Sequence, residues 1–225
     1  MPHHEIQILA ENESFLVVSK PAGLSVHNNS PSLSDFLTEK KKALHFVNRL
    51  DLETSGLMVI AQKPELHAPL AKSLELGTKT YRALLRGAWK PAEKTVWNLP
   101  LTDKAEGRDN PQGKSSDRVA AESHVTVLRT NAYLTEAHIA ILTGRQHQIR
   151  KHAALARHAI VGDPRYNEPK YNQRMASIYK DDRMCLQAEK LVFTFQNKNY
   201  EFEQILNLDL YFTSLTAQTT SSENR

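Results

Sequence analysis

Residues 123–157 read SHVTVLRTNAYLTEAHIAILTGRQHQIRKHAALAR, and within this stretch the pattern changes once. Ser123–Leu128 and Tyr133–Leu142 have the length and side-chain types of strands. They are expected to close as a hairpin around Thr130-Asn131-Ala132. From Thr143 to Arg157 the reading becomes helical. Thr143 and Gln146 form a capping-box pattern, and Ile149, Ala153 and Ala156 make a buried stripe.

Working outward, more strands appear than helices. Glu13–Ser19 reads as a strand stopped by Lys20-Pro21-Ala22-Gly23, where proline and glycine favour a turn. Leu57–Gln62 is an apolar run of strand length. Lys79–Arg86 alternates, with Tyr81, Ala83 and Leu85 on one face and Arg82, Leu84 and Arg86 on the other. Leu191–Gln196 and Asn199–Leu206 read as two strands around Asn197-Lys198. Ser32–Leu44 reads as a short helix carrying Leu33, Phe36 and Leu37, and its Lys40-Lys41-Lys42 run reads as a solvated end, with phosphate contact as the other reading. Strands in hairpin-like succession predict an α+β fold: a mixed, mostly antiparallel central sheet flanked by helices. Residues 1–212 are expected to form a single domain and 213–225 a disordered tail. Leu101–Val119 is polar and reads as a long, mobile loop, either gripping a ligand or a variable surface insertion.

Composition sets the class. In 225 residues, 40% are hydrophobic and 24% charged, enough to bury a core without staples. One cysteine, Cys185, cannot form an internal disulfide and points to a reducing compartment. No apolar signal peptide opens the chain, and the apolar runs Phe15–Val18 and Leu57–Ala61 are too short to span a bilayer. The net charge of +4 is unevenly placed. Thr143 to Arg183 holds nine Lys/Arg against four Asp/Glu, and the remainder holds 20 against 21. Such a patch is either a polyanion-binding surface or a solvated basic face.

Other chemistries fit poorly. Gly107 to Ser115 nearly matches a phosphate-binding loop, but five residues separate its glycines where four are required, and Pro111 interrupts it. His147, His152 and His158 are spaced by five and six, which does not put them on one helical face as metal ligands. No Gly-x-Ser-x-Gly elbow is present.

Three segments carry the remaining chemistry: Asn48-Arg49-Leu50-Asp51-Leu52-Glu53-Thr54-Ser55-Gly56, Lys79-Thr80-Tyr81, and Gly144-Arg145-Gln146-His147-Gln148-Ile149-Arg150, continuing to Gly162-Asp163-Pro164-Arg165-Tyr166. Together with the Lys20–Leu24 turn, these motifs resemble, in order, those of the RluA-type pseudouridine synthases. The resemblance covers about residues 10 to 195. It departs at Asn48, where the family usually has His, at Gln146, where Thr or Ser is common, and at Gln187, where His often stands. The Asn199–Phe212 region matches poorly. The chain reads as a catalytic domain without the small N-terminal S4-like RNA-binding domain of many members.

The resemblance implies isomerisation of a specific uridine to pseudouridine in structured ribosomal or transfer RNA. The base is detached, turned and rejoined through carbon, so neither metal nor nucleotide cofactor is expected. Asp51 is the implied catalytic carboxylate, attacking the sugar, attacking the ring, or assisting glycal formation. Arg145, at the second position of the expected helix, is implied to hold Asp51 ionised; the other reading is a phosphate contact. Tyr81 is implied to stack on a flipped base and move a proton, or else it is a core tyrosine. Arg49 would fill the gap left by the flipped base. His147, Gln148, Arg150, Lys151, His152 and Arg157 would contact the RNA. A cytoplasmic monomer is expected. Two rival readings are a catalytically inactive RNA-binding relative and a nucleoside-cleaving hydrolase using the same Asp chemistry.

Overall fold

A computed structural model describes residues 6–27, 29–89 and 95–213. In chain order the first elements are β1 (Gln7–Glu11), β2 (Phe15–Lys20), α1 (Leu33–Glu39), β3 (His45–Phe46), β4 (Ser55–Ala61), α2 (Pro64–Leu76) and β5 (Thr78–Arg86). There follow β6 (Thr95–Trp97), β7 (Leu101–Thr102), β8 (Arg118–Val119), β9 (Ser123–Thr130), β10 (Leu134–Ile141), α3 (Gln148–Leu155) and α4 (Pro169–Tyr179). The last are β11 (Leu186–Phe195), β12 (Lys198–Glu203) and α5 (Leu210–Thr213). The architecture is α+β, with mixed, mostly antiparallel strand pairing. Contacts gather the chain into two compact units. One holds the residues up to Tyr81 together with Leu186–Gln204; the other holds Arg82–Cys185 and the residues from Ile205 on. The chain passes from one to the other within β5. Most of the expected tail, residues 214–225, lies outside the described residues.

In the first unit the strands run in the order β1-β2-β4-β11. Both β2 and β4 read as continuous apolar runs because helices cover both of their faces. Phe15, Val17, Leu57 and Val59 pack toward Leu70 and Leu74 of α2. Leu16, Val18, Met58 and Ile60 pack toward Leu33 and Leu37 of α1. The α1 helix starts at a formed capping box between Ser32 and Asp35 and ends by Lys40, short of the expected Leu44. The helix α2 was not legible, since its 13 residues include Pro64 and Pro69 and bury only Leu70 and Leu74. Strand β11 runs parallel to β4, pairing Gln187 with Ser55 and Ala188 with Gly56. A Cβ on Gly56 would lie 2.3 Å from the Ala188 carbonyl oxygen, so only glycine permits that approach. The β11–β12 hairpin turns through Gln196 and Asn197, both left-handed.

In the second unit the order is β5-β10-β9-β6. The β9–β10 hairpin forms as expected, and Asn131 Oδ1 accepts from the backbone N–H groups of Tyr133 and Leu134 to tie its turn. Residues 206–211 return to this unit: Leu206, Leu208 and Tyr211 join Leu84, Leu134, Val161 and Cys185 in one core. The segment 101–119 is more tightly anchored than its polarity suggests. Leu101 and Thr102 are buried, the Thr102 carbonyl accepts from Lys151 Nζ, and Arg108 donates to the Asn167 carbonyl.

Candidate active site

Asp51 stands in the loop that feeds β4. The Thr54 N–H closes a turn on the Asp51 carbonyl at 3.2 Å, and Leu50 beside it is buried in the α1-side core. The Leu52 carbonyl accepts from the Gly23 N–H at 2.9 Å and from Lys20 Nζ at 3.1 Å. Lys20 is fully buried at the end of β2. Its ammonium also donates to the carbonyls of Pro21 at 3.0 Å and Leu24 at 2.9 Å. Three carbonyls therefore satisfy three N–H donors. Burial pushes the Lys20 ammonium down to about 8, and the charges of Asp51 and Glu53 oppose that shift. Sequence reasoning saw Lys20 only as part of a turn. The available signal was a lysine closing a strand that is otherwise buried on both faces.

Tyr81, on β5, packs against the same core as Leu16, Val18, Leu50 and Met58. Burial, and secondarily the nearby charge of Asp51, push its phenol well above the usual tyrosine range. The phenol keeps its proton and can donate it. Lys79, two residues before, donates to the Leu74 carbonyl at 2.8 Å in the last turn of α2, which secures the start of the strand. The first unit thus brings together Asp51, Tyr81 and Lys20. Arg49 is exposed on the same loop.

Arg145 belongs to the second unit, and the structure corrects its expected place at a helix start. The helix α3 begins only at Gln148, because His147 takes a left-handed conformation with φ 56°. The Thr143–Gln146 capping box does not form. Instead Gln148 Oε1 accepts from the Thr143 hydroxyl at 2.6 Å and from the Arg145 N–H at 3.1 Å. Its Nε2 donates to the Glu122 carbonyl and to Ser123 Oγ, each at 2.9 Å. The Arg145 guanidinium donates through Nε to the Ala120 carbonyl at 3.0 Å.

Gln148, Arg150, Lys151 and His152, all expected to contact RNA, are buried. All four bonding positions of Gln148 are spent, two on the 143–145 loop and two on Glu122 and Ser123 at the start of β9. Arg150 grips Asp163 through Nε at 2.8 Å and Nη2 at 2.9 Å. Lys151 Nζ donates to the Thr102 carbonyl at 2.7 Å. His152 donates through Nε2 to the Leu99 carbonyl and pairs its Nδ1 with Ser123 Oγ. Burial lowers its pKa. Water-excluded cations committed to carbonyls and a carboxylate cannot reach a phosphate. His147 pairs its Nδ1 with the Tyr166 hydroxyl at 3.1 Å. Arg157 is exposed just beyond α3, and Arg165, Lys170, Arg174 and Lys180 are exposed in the same unit. The basic surface is therefore built from the residues after the helix rather than from the helix itself.

Among the described residues, no group of three or more His, Cys, Asp or Glu side chains is arranged to hold a metal ion. Cys185 is buried with its thiol pushed up to about 12 by burial, beside the Tyr211 hydroxyl. No helix among the described residues is long and apolar enough to cross a membrane.

The fold and this loop–strand arrangement place the chain in a class. Residues 14–155 match the RNA pseudouridylate synthase family, and the chain belongs to that family. It is 34% identical over 197 residues to ribosomal large subunit pseudouridine synthase C of Salmonella typhi, a match covering 83% of this chain and 61% of that protein. The protein of the same name in Escherichia coli K12 is 32% identical with the same coverage. The chain thus spans about three fifths of the length of these curated relatives. The solved structure of human RNA pseudouridylate synthase domain containing 1 superposes with a TM-score of 0.73 at 20% identity, covering 95% of both chains, which shows a shared fold.

Proposed function

We propose that this chain is an RNA pseudouridine synthase acting on a uridine in structured RNA. The ribosomal substrate named for its relatives makes large-subunit ribosomal RNA the first candidate, with transfer RNA second. In the reaction the bond between N1 and C1′ breaks and a bond between C5 and C1′ forms. C5 loses a proton and N1 gains one. No electron or water molecule is consumed, so no cofactor enters. Asp51 supplies the carboxylate, whether toward the sugar or the ring. Tyr81 supplies a phenol that remains protonated beside it. Arg49 takes the space vacated when the base leaves its stack, at a cost of a few kcal/mol. Exposed Arg157 and its neighbours hold phosphates. The buried, unpaired thiol of Cys185 fits work in the reducing cytoplasm, as a monomer.

The observation that carries this reading is the convergence of Asp51 and Tyr81 in one unit, close enough for the carboxylate charge to act on the phenol. Mapping pseudouridine across the host's RNAs with and without the intact chain tests it. Loss of modification at one or a few uridines is expected. An unchanged map, or release of free uracil by the purified protein, overturns it.

A further inference from the structure

Strand β4 has two edges. Strand β2 pairs along one of them from Phe15↔Ala61 to Lys20↔Gly56. The other edge is shared: β3 covers it at Ala61 and Ile60, and β11 covers it at Gly56 and Ser55. Between β3 and β11 the backbone of β4 faces a gap at residues 57 to 59. Val47, the residue after β3, donates its N–H to the Val59 carbonyl at 2.9 Å. The chain then turns away toward Asp51, and among the described residues no further strand pairs with this stretch of the edge.

The Asn48 side chain occupies it. Its Oδ1 accepts from the Val59 N–H at 2.8 Å, and its Nδ2 donates to the Leu57 carbonyl at 3.4 Å. A carboxamide presents the same donor and acceptor pair as a peptide group, so one side chain does the work of the missing strand residue. Without it, a buried backbone N–H in the middle of the sheet would be left unpaired. Asn48 lies three residues before Asp51. On the other side of Asp51, the Leu52 carbonyl is held by Lys20 and Gly23. The carboxylate-bearing segment is therefore fastened at both ends to strands that are themselves buried.

We infer that Asn48 is a positioning residue for Asp51, acting through the edge of β4 rather than by touching the substrate. This inference rests on the proposed reaction. Its chemistry explains how the chain dispenses with histidine at this position. A neutral imidazole also offers one acceptor and one donor, so the site needs the pair of bonding groups and not a titrating ring.

The test uses the full chain with in vitro transcribed, unmodified large-subunit ribosomal RNA. Single-turnover rate, RNA affinity and amide exchange at Val59 are measured for wild type, Asn48→Leu and Asn48→His near pH 8, where imidazole is neutral. Asn48→Leu is expected to lose at least about tenfold in the chemical step, because misplacement by ~1 Å costs up to about 100-fold. RNA affinity should stay within about twofold, as for a group acting only on the reacting geometry. Val59 exchange should accelerate, and Asn48→His should recover most of both losses. Wild-type rate and slow Val59 exchange in Asn48→Leu would overturn the inference. So would parallel losses of rate and affinity that Asn48→His does not restore. If the wild-type protein forms no pseudouridine, the reaction assignment fails by itself. Val59 exchange then decides whether Asn48 anchors the edge: acceleration in Asn48→Leu supports the anchor and unchanged exchange overturns it.

Discussion

Arg150 and Asp163, both fully buried, meet through two charge-assisted hydrogen bonds of 2.8 and 2.9 Å. Asp163 also accepts from the backbone N–H groups of Arg165 at 2.8 Å and Tyr166 at 3.1 Å. The pair ties α3 to the loop after Ile160. That loop passes through Gly162, where a Cβ would lie 2.1 Å from the Arg183 carbonyl. Breaking a buried pair leaves one charge uncompensated, so Arg150→Met should cost about 3–5 kcal/mol of stability. Urea unfolding measures this. A loss under about 1 kcal/mol, accompanied by weaker RNA binding, would return Arg150 to the RNA surface.

Asp51→Asn keeps the side-chain shape and removes the charge. Pseudouridine formation should fall by more than about 1000-fold, as when an essential group of a catalytic unit is removed. RNA binding should persist, since the exposed cations proposed to carry it are untouched. Single-turnover assays paired with filter binding separate the two effects. Substantial turnover by the variant would remove Asp51 from the chemistry.

Lys20 gives a pH signature. In the folded chain its ammonium titrates at about 8, and in the unfolded chain at its ordinary value of 10.5. Below pH 8 both states hold the proton, and the cost of burying the charge is present in full. Between about 8 and 10.5 the unfolded chain holds more protons, so the contribution of this group to stability rises with pH. The slope is at most about 1.4 kcal/mol per pH unit. Comparing pH-dependent unfolding of wild type and Lys20→Met isolates it. Identical slopes for the two proteins across that window would contradict the depressed titration.

Arg157 and Lys151 should behave in opposite ways. Arg157 is exposed, so Arg157→Ala should weaken RNA binding and reduce the slope of log affinity against log salt by about 1. Lys151 is buried against the Thr102 carbonyl, so Lys151→Met should leave that slope unchanged and lower stability by about 1–3 kcal/mol. Salt titrations and thermal melts on the same samples check both. A salt slope that falls in Lys151→Met would contradict its burial.

Much of this protein was legible in one dimension. Strand periodicity and turn residues located β2, β4, β5 and the β9–β10 and β11–β12 hairpins, because alternation and left-handed turn positions are local properties. Asp51 and Tyr81 stood out in the motifs that carry them. Short or atypical elements were missed. The helix α2 carries two prolines, and α4, Pro169–Tyr179, buries only Met175 and Tyr179, so neither shows a strong apolar stripe.

The sequence by itself marked the longer strands, the turns between them, and the motifs in which Asp51 and Tyr81 stand. Only the tertiary structure decided which cations face water. Arg150, Lys151 and Arg157 stand within eight positions of one another, yet two are buried and one is exposed. A buried cation is tolerated only where carbonyls or a carboxylate replace its water, and those partners, Thr102 and Asp163, lie far away or on another element. The same holds for Lys20 and Asn48. Each is an ordinary polar residue in the chain, and each becomes part of the frame around Asp51 when folding brings Leu24, Leu52, Leu57 and Val59 within hydrogen-bond reach.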